Sequence, residues 1–275
     1  MQGLVITREA NFRTGLGWAQ LRAAHHLFRT LRVENYVGLA AHRPLARSRP
    51  ARRTVRLIAR RFAVEWRVVS KLRLFVVRHG ETAWSRERRF AGARDVPLTP
   101  EGLRQCEAVA RTLASQGVAA VYASPLERAR ASAEVIARPH RLEVEIEPAF
   151  REMALGEWEG LTREEVAARF PADYERWCTA PHLLHLAGGE TLGEVAVRVT
   201  AGVRELQEAH AGETIVLVSH AIVIRLIVLD ALGLGHERLW TVDATPAGIT
   251  EIEYEPGWAT VHRMNTLAHL EAVER

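Results

Sequence analysis

Cysteine is scarce: the 275 residues contain only Cys106 and Cys178. Two cysteines supply no disulfide framework, and a reducing compartment, the cytoplasm, is the default expectation. No Cx2C pair and no HExxH helix occurs, so no protein-bound metal is expected. Long apolar runs are also lacking, which excludes a membrane span. No apolar core follows the start, as a secretory signal peptide requires. Lysine is almost missing, Lys71 being the only one among 37 basic residues. What remains is ordinary globular material, 48% apolar and 25% charged. The length suits one large domain, or one domain with an appendage.

Charge is unevenly placed. Residues 1–70 hold fourteen arginines against three acids, Glu9, Glu34 and Glu65, a balance of +11. The whole chain is +4, so residues 71–275 carry 4 − 11 = −7. The segment 1–70 lacks a sustained amphipathic period and reads as a basic N-terminal extension, with 71–275 as the working domain. Three readings of the extension stand open: a misassigned start codon near Val68 or Val69, a mobile arm that touches anionic membrane or nucleic acid, and an organelle transit peptide.

From residue 71 onward strand-like and helix-like stretches alternate. Leu72 to Val77 is a short apolar run that stops at Arg78-His79-Gly80, as a buried parallel strand would. Thr99-Pro100 reads as a helix start, with Leu103, Cys106, Val109, Ala110 and Leu113 at helical spacing. Val118–Ala123, Leu142–Ile146 and Thr214–Val218 read as further strands. Helices are expected from Ser124-Pro125 to about Arg138, over Thr162–Phe170, over Glu190–His210 and over Ile222–Leu232. Residues 248–254 alternate and are expected to pair with Ala259–Arg263 as a hairpin. The pattern predicts a three-layer α/β/α domain around a mainly parallel mixed sheet, its closing hairpin antiparallel at one edge.

Three of these strands end in polar residues: Arg78-His79-Gly80, Ser124 to Arg128, and Ser219-His220-Ala221. Ligands bind outside the carboxyl ends of such strands. Two arginines and two histidines converging there suit a phosphate, because arginine offers a planar, permanently charged fork and a neutral imidazole can attack phosphorus. Gly80 is expected to let the backbone approach the ligand. The loop Phe150–Gly160 supplies carboxylates, and Glu152 is the candidate proton donor to the leaving group, with Glu157 and Glu159 close by.

Residues 78–220 carry a family resemblance. Arg78-His79-Gly80-Glu81-Thr82, Gly92 with Asp95-Val96-Pro97-Leu98-Thr99, Ser124-Pro125-Leu126-Glu127-Arg128, Glu152 with Gly156-Glu157-Trp158-Glu159-Gly160, Gly188-Gly189-Glu190 and Val218-Ser219-His220 follow one another as in the histidine phosphatase superfamily, the phosphoglycerate mutase-like enzymes. The resemblance implies a phosphohistidine on His79. It implies that Arg78, Arg128 and His220 hold the phosphoryl group, that Glu152 acts as acid and then base, and that no metal or organic cofactor takes part. Gly80, Thr82, Ser85, Gly92 and Ala221 are carried over as substrate-binding positions. Ser85 stands where the family often has asparagine, and Ser132 where threonine is common.

Only about thirty residues, Leu161 to Glu190, separate the acid segment from the next helix. A short cap admits water and favours hydrolysis of a small phosphate ester. Phosphoglycerate mutase is the alternative, and an inactive phosphate-binding regulatory protein a second. The cap residues Phe170, Tyr174, Trp177 and His182 to Leu186 are mostly apolar or neutral, a weak hint against a heavily charged second phosphate on the ester. Assembly stays open, a homodimer being one option.

Overall fold

The computed structural model describes residues 70–271; the basic extension, apart from Ser70, lies outside them. Six strands form one sheet in the order β3-β2-β4-β1-β5-β6. They are β1 (Leu72–Arg78), β2 (Ala120–Ala123), β3 (Val144–Ile146), β4 (Thr214–Ser219), β5 (Ile249–Glu255) and β6 (Trp258–Thr266). The first four are mutually parallel; β5 runs antiparallel to β1, and β6 closes the expected hairpin at the edge. The mixed α/β sheet is the architecture the sequence predicts.

Side-chain alternation builds two cores. On β1, Leu72, Leu74 and Val76 enter one hydrophobic cluster, while Phe75 and Val77 enter the other. Strand β4 does the same, with Ile215 and Leu217 on one face and Val216 and Val218 on the opposite face. Period-two alternation between two apolar layers is why these strands read as continuous apolar runs. Each fully buried side chain of this kind contributes about 1.5–3 kcal/mol.

The helices are α1 (Ala83–Arg86), α2 (Pro100–Leu113), α3 (Glu127–Ala137), α4 (Arg163–Arg169), α5 (Pro171–Thr179), α6 (Leu192–Ala209), α7 (Ala221–Ala231) and α8 (Ala268–Glu271). Thr99 caps α2 through its hydroxyl, as its sequence position indicates. Two expectations shift. Helix α3 begins at Glu127 rather than at Ser124-Pro125, because the Ser124 hydroxyl is engaged by the Leu126 N–H and by His220. The cap contains a second helix, α5, set off from α4 at Phe170-Pro171, since proline opens a helix but cannot continue one. No described helix is long and apolar enough to cross a membrane.

Candidate active site

The carboxyl ends of β1, β2 and β4 lie level. Arg78 pairs in register with Ser219, and Ala123 with Val218. The residues that follow, His79, Ser124 and His220, therefore share one rim, and all three are buried. Helix α3 adds Arg128, only 1% exposed, from the opposite side. A cavity of about 670 Å³ opens in front of them, lined by Arg78, His79, Arg128 and Glu152.

His79 is held at both ring nitrogens. Its Nδ1 lies 2.8 Å from the Gly80 carbonyl, and its Nε2 accepts from Arg128 Nε at 3.2 Å. Since a carbonyl only accepts, Nδ1 carries the proton and Nε2 the lone pair. Burial first, then the positive charges of Arg128 and Arg78, hold the His79 pKa well below that of an ordinary histidine. The ring is therefore neutral and nucleophilic at neutral pH.

The two arginines are fixed by backbone carbonyls. Arg128 donates to Arg94 O at 2.6 Å and to Gly92 O at 2.8 Å; Arg78 donates to Ala244 O at 2.6 Å. Carbonyls orient a guanidinium without neutralising it, so the cavity keeps its charge. Burial lowers the Arg78 pKa to about 10, which still leaves it charged at neutral pH. Gly92, at φ 52°, takes a left-handed turn that brings its carbonyl round to Arg128.

His220 sits beside His79, with ring centroids 5.2 Å apart. Its Nε2 meets Ser124 Oγ at 2.6 Å. Ser124 Oγ accepts from the Leu126 N–H at 3.3 Å; when it donates its own proton to Nε2, the proton of His220 rests on Nδ1. Nδ1 of His220 and Nε of Arg78 are buried without hydrogen-bond partners among the described residues.

Of the three candidate carboxylates, only Glu152 lines the cavity. Its oxygens accept from the N–H groups of Met153 and Ile222 at 3.0 and 3.3 Å. Glu159 instead binds the loop N–H groups of Ala93 and Leu155, and Glu157 is exposed. Thr82, Ser85, Gly92 and Ala221 line the cavity as well. Ser85 is less free than a ligand-binding residue need be: its hydroxyl bonds the backbone of Thr82 in the capping box of α1. Gly80 differs from its expected role. A Cβ there meets the Gly102 carbonyl and Cys106 Sγ, so the glycine admits α2 against the loop rather than a ligand. Glu81 braces the same loop, accepting from Thr99 Oγ1.

The cap also departs from its reading. Phe170 and Tyr174 pack on the buried Trp158, and of the named cap residues only Trp177 reaches the cavity. The wall is instead rich in arginine, with Arg88, Arg89, Arg163 and Arg225. These four stand in no motif, so the sequence does not single them out; Arg225, one helical turn beyond Ala221, is the most accessible signal.

Residues 74–267 match the family model of the histidine phosphatase superfamily, branch 1. The chain belongs to that superfamily. Phosphoserine phosphatase 1 of Hydrogenobacter thermophilus is 32% identical over 199 residues, covering 72% of this chain and 94% of that protein. Probable phosphoglycerate mutase GpmB of Enterobacter sp. is 30% identical over 212 residues, covering 73% and 96%. Among solved structures, YhfR of Bacillus stearothermophilus superposes with a TM-score of 0.69 at 30% identity, covering 72% of this chain and 99% of its own.

Proposed function

We propose that the protein is a phosphomonoester hydrolase that works through a phosphohistidine on Nε2 of His79. The pairing of that nitrogen with Arg128 carries the reading, because it supplies a lone pair and a fixed cation at one point. In the first step the Nε2 lone pair forms a bond to phosphorus while the ester P–O bond breaks. Glu152 gives its proton to the departing oxygen, so the alcohol leaves neutral. In the second step water attacks phosphorus and passes a proton to the Glu152 carboxylate. The N–P bond breaks, and its electron pair returns to Nε2. Arg78, Arg128 and the Nδ1–H of His220 offset the charge on the phosphoryl oxygens in both steps. Thr82, Ser85, Gly92 and Ala221 surround the ester. No step calls on a metal, and no described group of three or more His, Cys, Asp or Glu is placed to hold one.

Hydrolysis is favoured over transfer by the short cap of α4 and α5 and by the likeness to a phosphoserine phosphatase. The test is phosphate release from 3-phosphoglycerate and O-phosphoserine with chelator present. Release should continue with chelator, and His79→Ala should abolish both it and the acid-labile phosphoenzyme. Isomerisation of 3-phosphoglycerate without phosphate release, in the presence of a 2,3-bisphosphate primer, would replace this reading with a mutase.

A further inference from the structure

The loop that carries Glu152 is held by side chains from outside it. Ser219, at the end of β4, donates through Oγ to Phe150 O at 2.8 Å. Arg198, in the second turn of α6, takes the carbonyls on either side. Its Nη1 donates to Ala149 O at 2.8 Å and to Arg151 O at 2.6 Å, and its Nη2 lies 3.4 Å from Glu152 O. The rest of the fork goes to Glu190: Nε donates to Oε1 at 3.0 Å and Nη2 to Oε2 at 3.1 Å. Glu190 in turn holds the far side of the loop. It accepts from Ala154 N and from Arg151 Nη2, both at 2.9 Å, and its own N–H donates to Ala154 O at 2.9 Å. Both side chains are largely buried, Arg198 being 20% and Glu190 18% exposed. Burial raises the Glu190 pKa, but the bonds from Arg198 and Ala154 outweigh it and hold the carboxyl below its ordinary value.

Every hydrogen bond that the Arg198 side chain makes among the described residues goes to Glu190 or to residues 149–152. Residues 151–154 have no regular secondary structure, so no ladder of their own fixes them. The path of the backbone at Glu152 decides where its carboxylate stands, and that path is set by bonds at Ala149, Arg151, Glu152 and Ala154. A planar fork with five donors, set on a rigid helix, fixes direction as well as distance. Such accuracy matters most at a reacting group, where a shift of about 1 Å costs about 10²-fold in rate. Resting on the hydrolase reading with Glu152 as the acid, we propose that Arg198 and Glu190 are positioning residues that together hold the Glu152 carboxylate at the leaving oxygen for proton transfer. Neither lines the cavity, so they act through the loop and not on the ester.

A cycle of variants tests the clamp, read by single-turnover kinetics on O-phosphoserine, whose leaving oxygen needs a proton, and on p-nitrophenyl phosphate, whose leaving oxygen does not. Arg198→Gln should slow O-phosphoserine by about 10–10²-fold and p-nitrophenyl phosphate by less than about threefold. Inorganic phosphate should keep its affinity as a competitive inhibitor, because Arg78, Arg128 and His220 stay in place. In a Glu152→Gln background the same substitution should add little further slowing on O-phosphoserine, since the proton donor is already gone. Glu190→Gln keeps the shape but places an NH₂ where Arg198 or Ala154 donates, and it should repeat the pattern, even where Arg198→Gln fails to fold. Equal slowing of both esters, effects of Arg198→Gln and Glu152→Gln that multiply, or unchanged rates overturn the proposal and leave an anchor for folding alone. Failure of the underlying reading shows separately: Glu152→Gln by itself then slows both esters equally, or the wild-type protein releases no phosphate.

Discussion

The hydroxyl of Ser132 joins Gly80 to Arg128: it accepts from the Gly80 N–H at 3.1 Å and donates to the Arg128 carbonyl at 2.7 Å. One buried side chain therefore locks the loop after His79 to the helix that presents Arg128. Ser132→Ala leaves the buried Gly80 N–H without its partner, while the Arg128 carbonyl keeps its bond within α3, a loss of about 1–3 kcal/mol. Urea unfolding should show that loss. Turnover should fall with it, because His79 and Arg128 lose their common brace. An unchanged unfolding midpoint would show that the bridge contributes nothing.

The neutral state of the buried histidines makes stability depend on pH. His79 and His220 both have folded pKa values below the usual 6.5, through burial first and the neighbouring cations second. Above pH 6.5 neither the folded nor the unfolded form binds the extra protons. Below it the unfolded chain takes them and the folded chain does not. Stability should therefore fall as pH drops from 6.5 toward the folded values, with a slope of up to about 1.4 kcal/mol per pH unit for each histidine. Replacing both with glutamine should flatten that part of the curve.

Glu152 has a signature that depends on the leaving group. Glu152→Gln should slow alkyl phosphates by about 10²–10⁴-fold, the range of general acid catalysis. The first step on p-nitrophenyl phosphate, whose leaving oxygen needs no proton, should be affected far less. Single-turnover measurements on the two esters provide the comparison, and equal slowing would assign the proton to another group.

Arg78 is oriented from a distance. Asn265, at the end of β6, accepts from Thr245 N at 2.8 Å and donates to the side chains of Asp243 and Thr245. That holds the segment whose Ala244 carbonyl receives Arg78. Asn265→Ala should weaken inorganic phosphate as a competitive inhibitor several-fold, although the residue does not line the cavity. Retained phosphate affinity would show that Arg78 needs no such support.

Much of the site was legible in the sequence because strand ends are legible. An apolar run that stops at Arg78-His79, and another that stops at Ser219-His220, are local features. Parallel pairing makes them neighbours at one rim. Glu152 was harder to separate from Glu157 and Glu159, because all three lie in one loop, and only the folded structure gives Glu152 the Met153 and Ile222 N–H groups and Glu159 those of Ala93 and Leu155. The apolar character of the cap residues was visible in the sequence, but that Phe170 and Tyr174 pack on Trp158 was not.

The sequence by itself determined the alternating α/β order, the family and the strand-end position of His79. These depend on patterns within a few residues, namely strand periodicity, helix caps and the polar residues that end each strand. Tertiary structure decided the tautomer of His79, the inward choice of Glu152, the packing role of Gly80 and the convergence of Arg88, Arg163 and Arg225. Each of these is a relation between segments far apart in the chain. Its energy comes from contacts and desolvation that exist only once the sheet has brought those segments together.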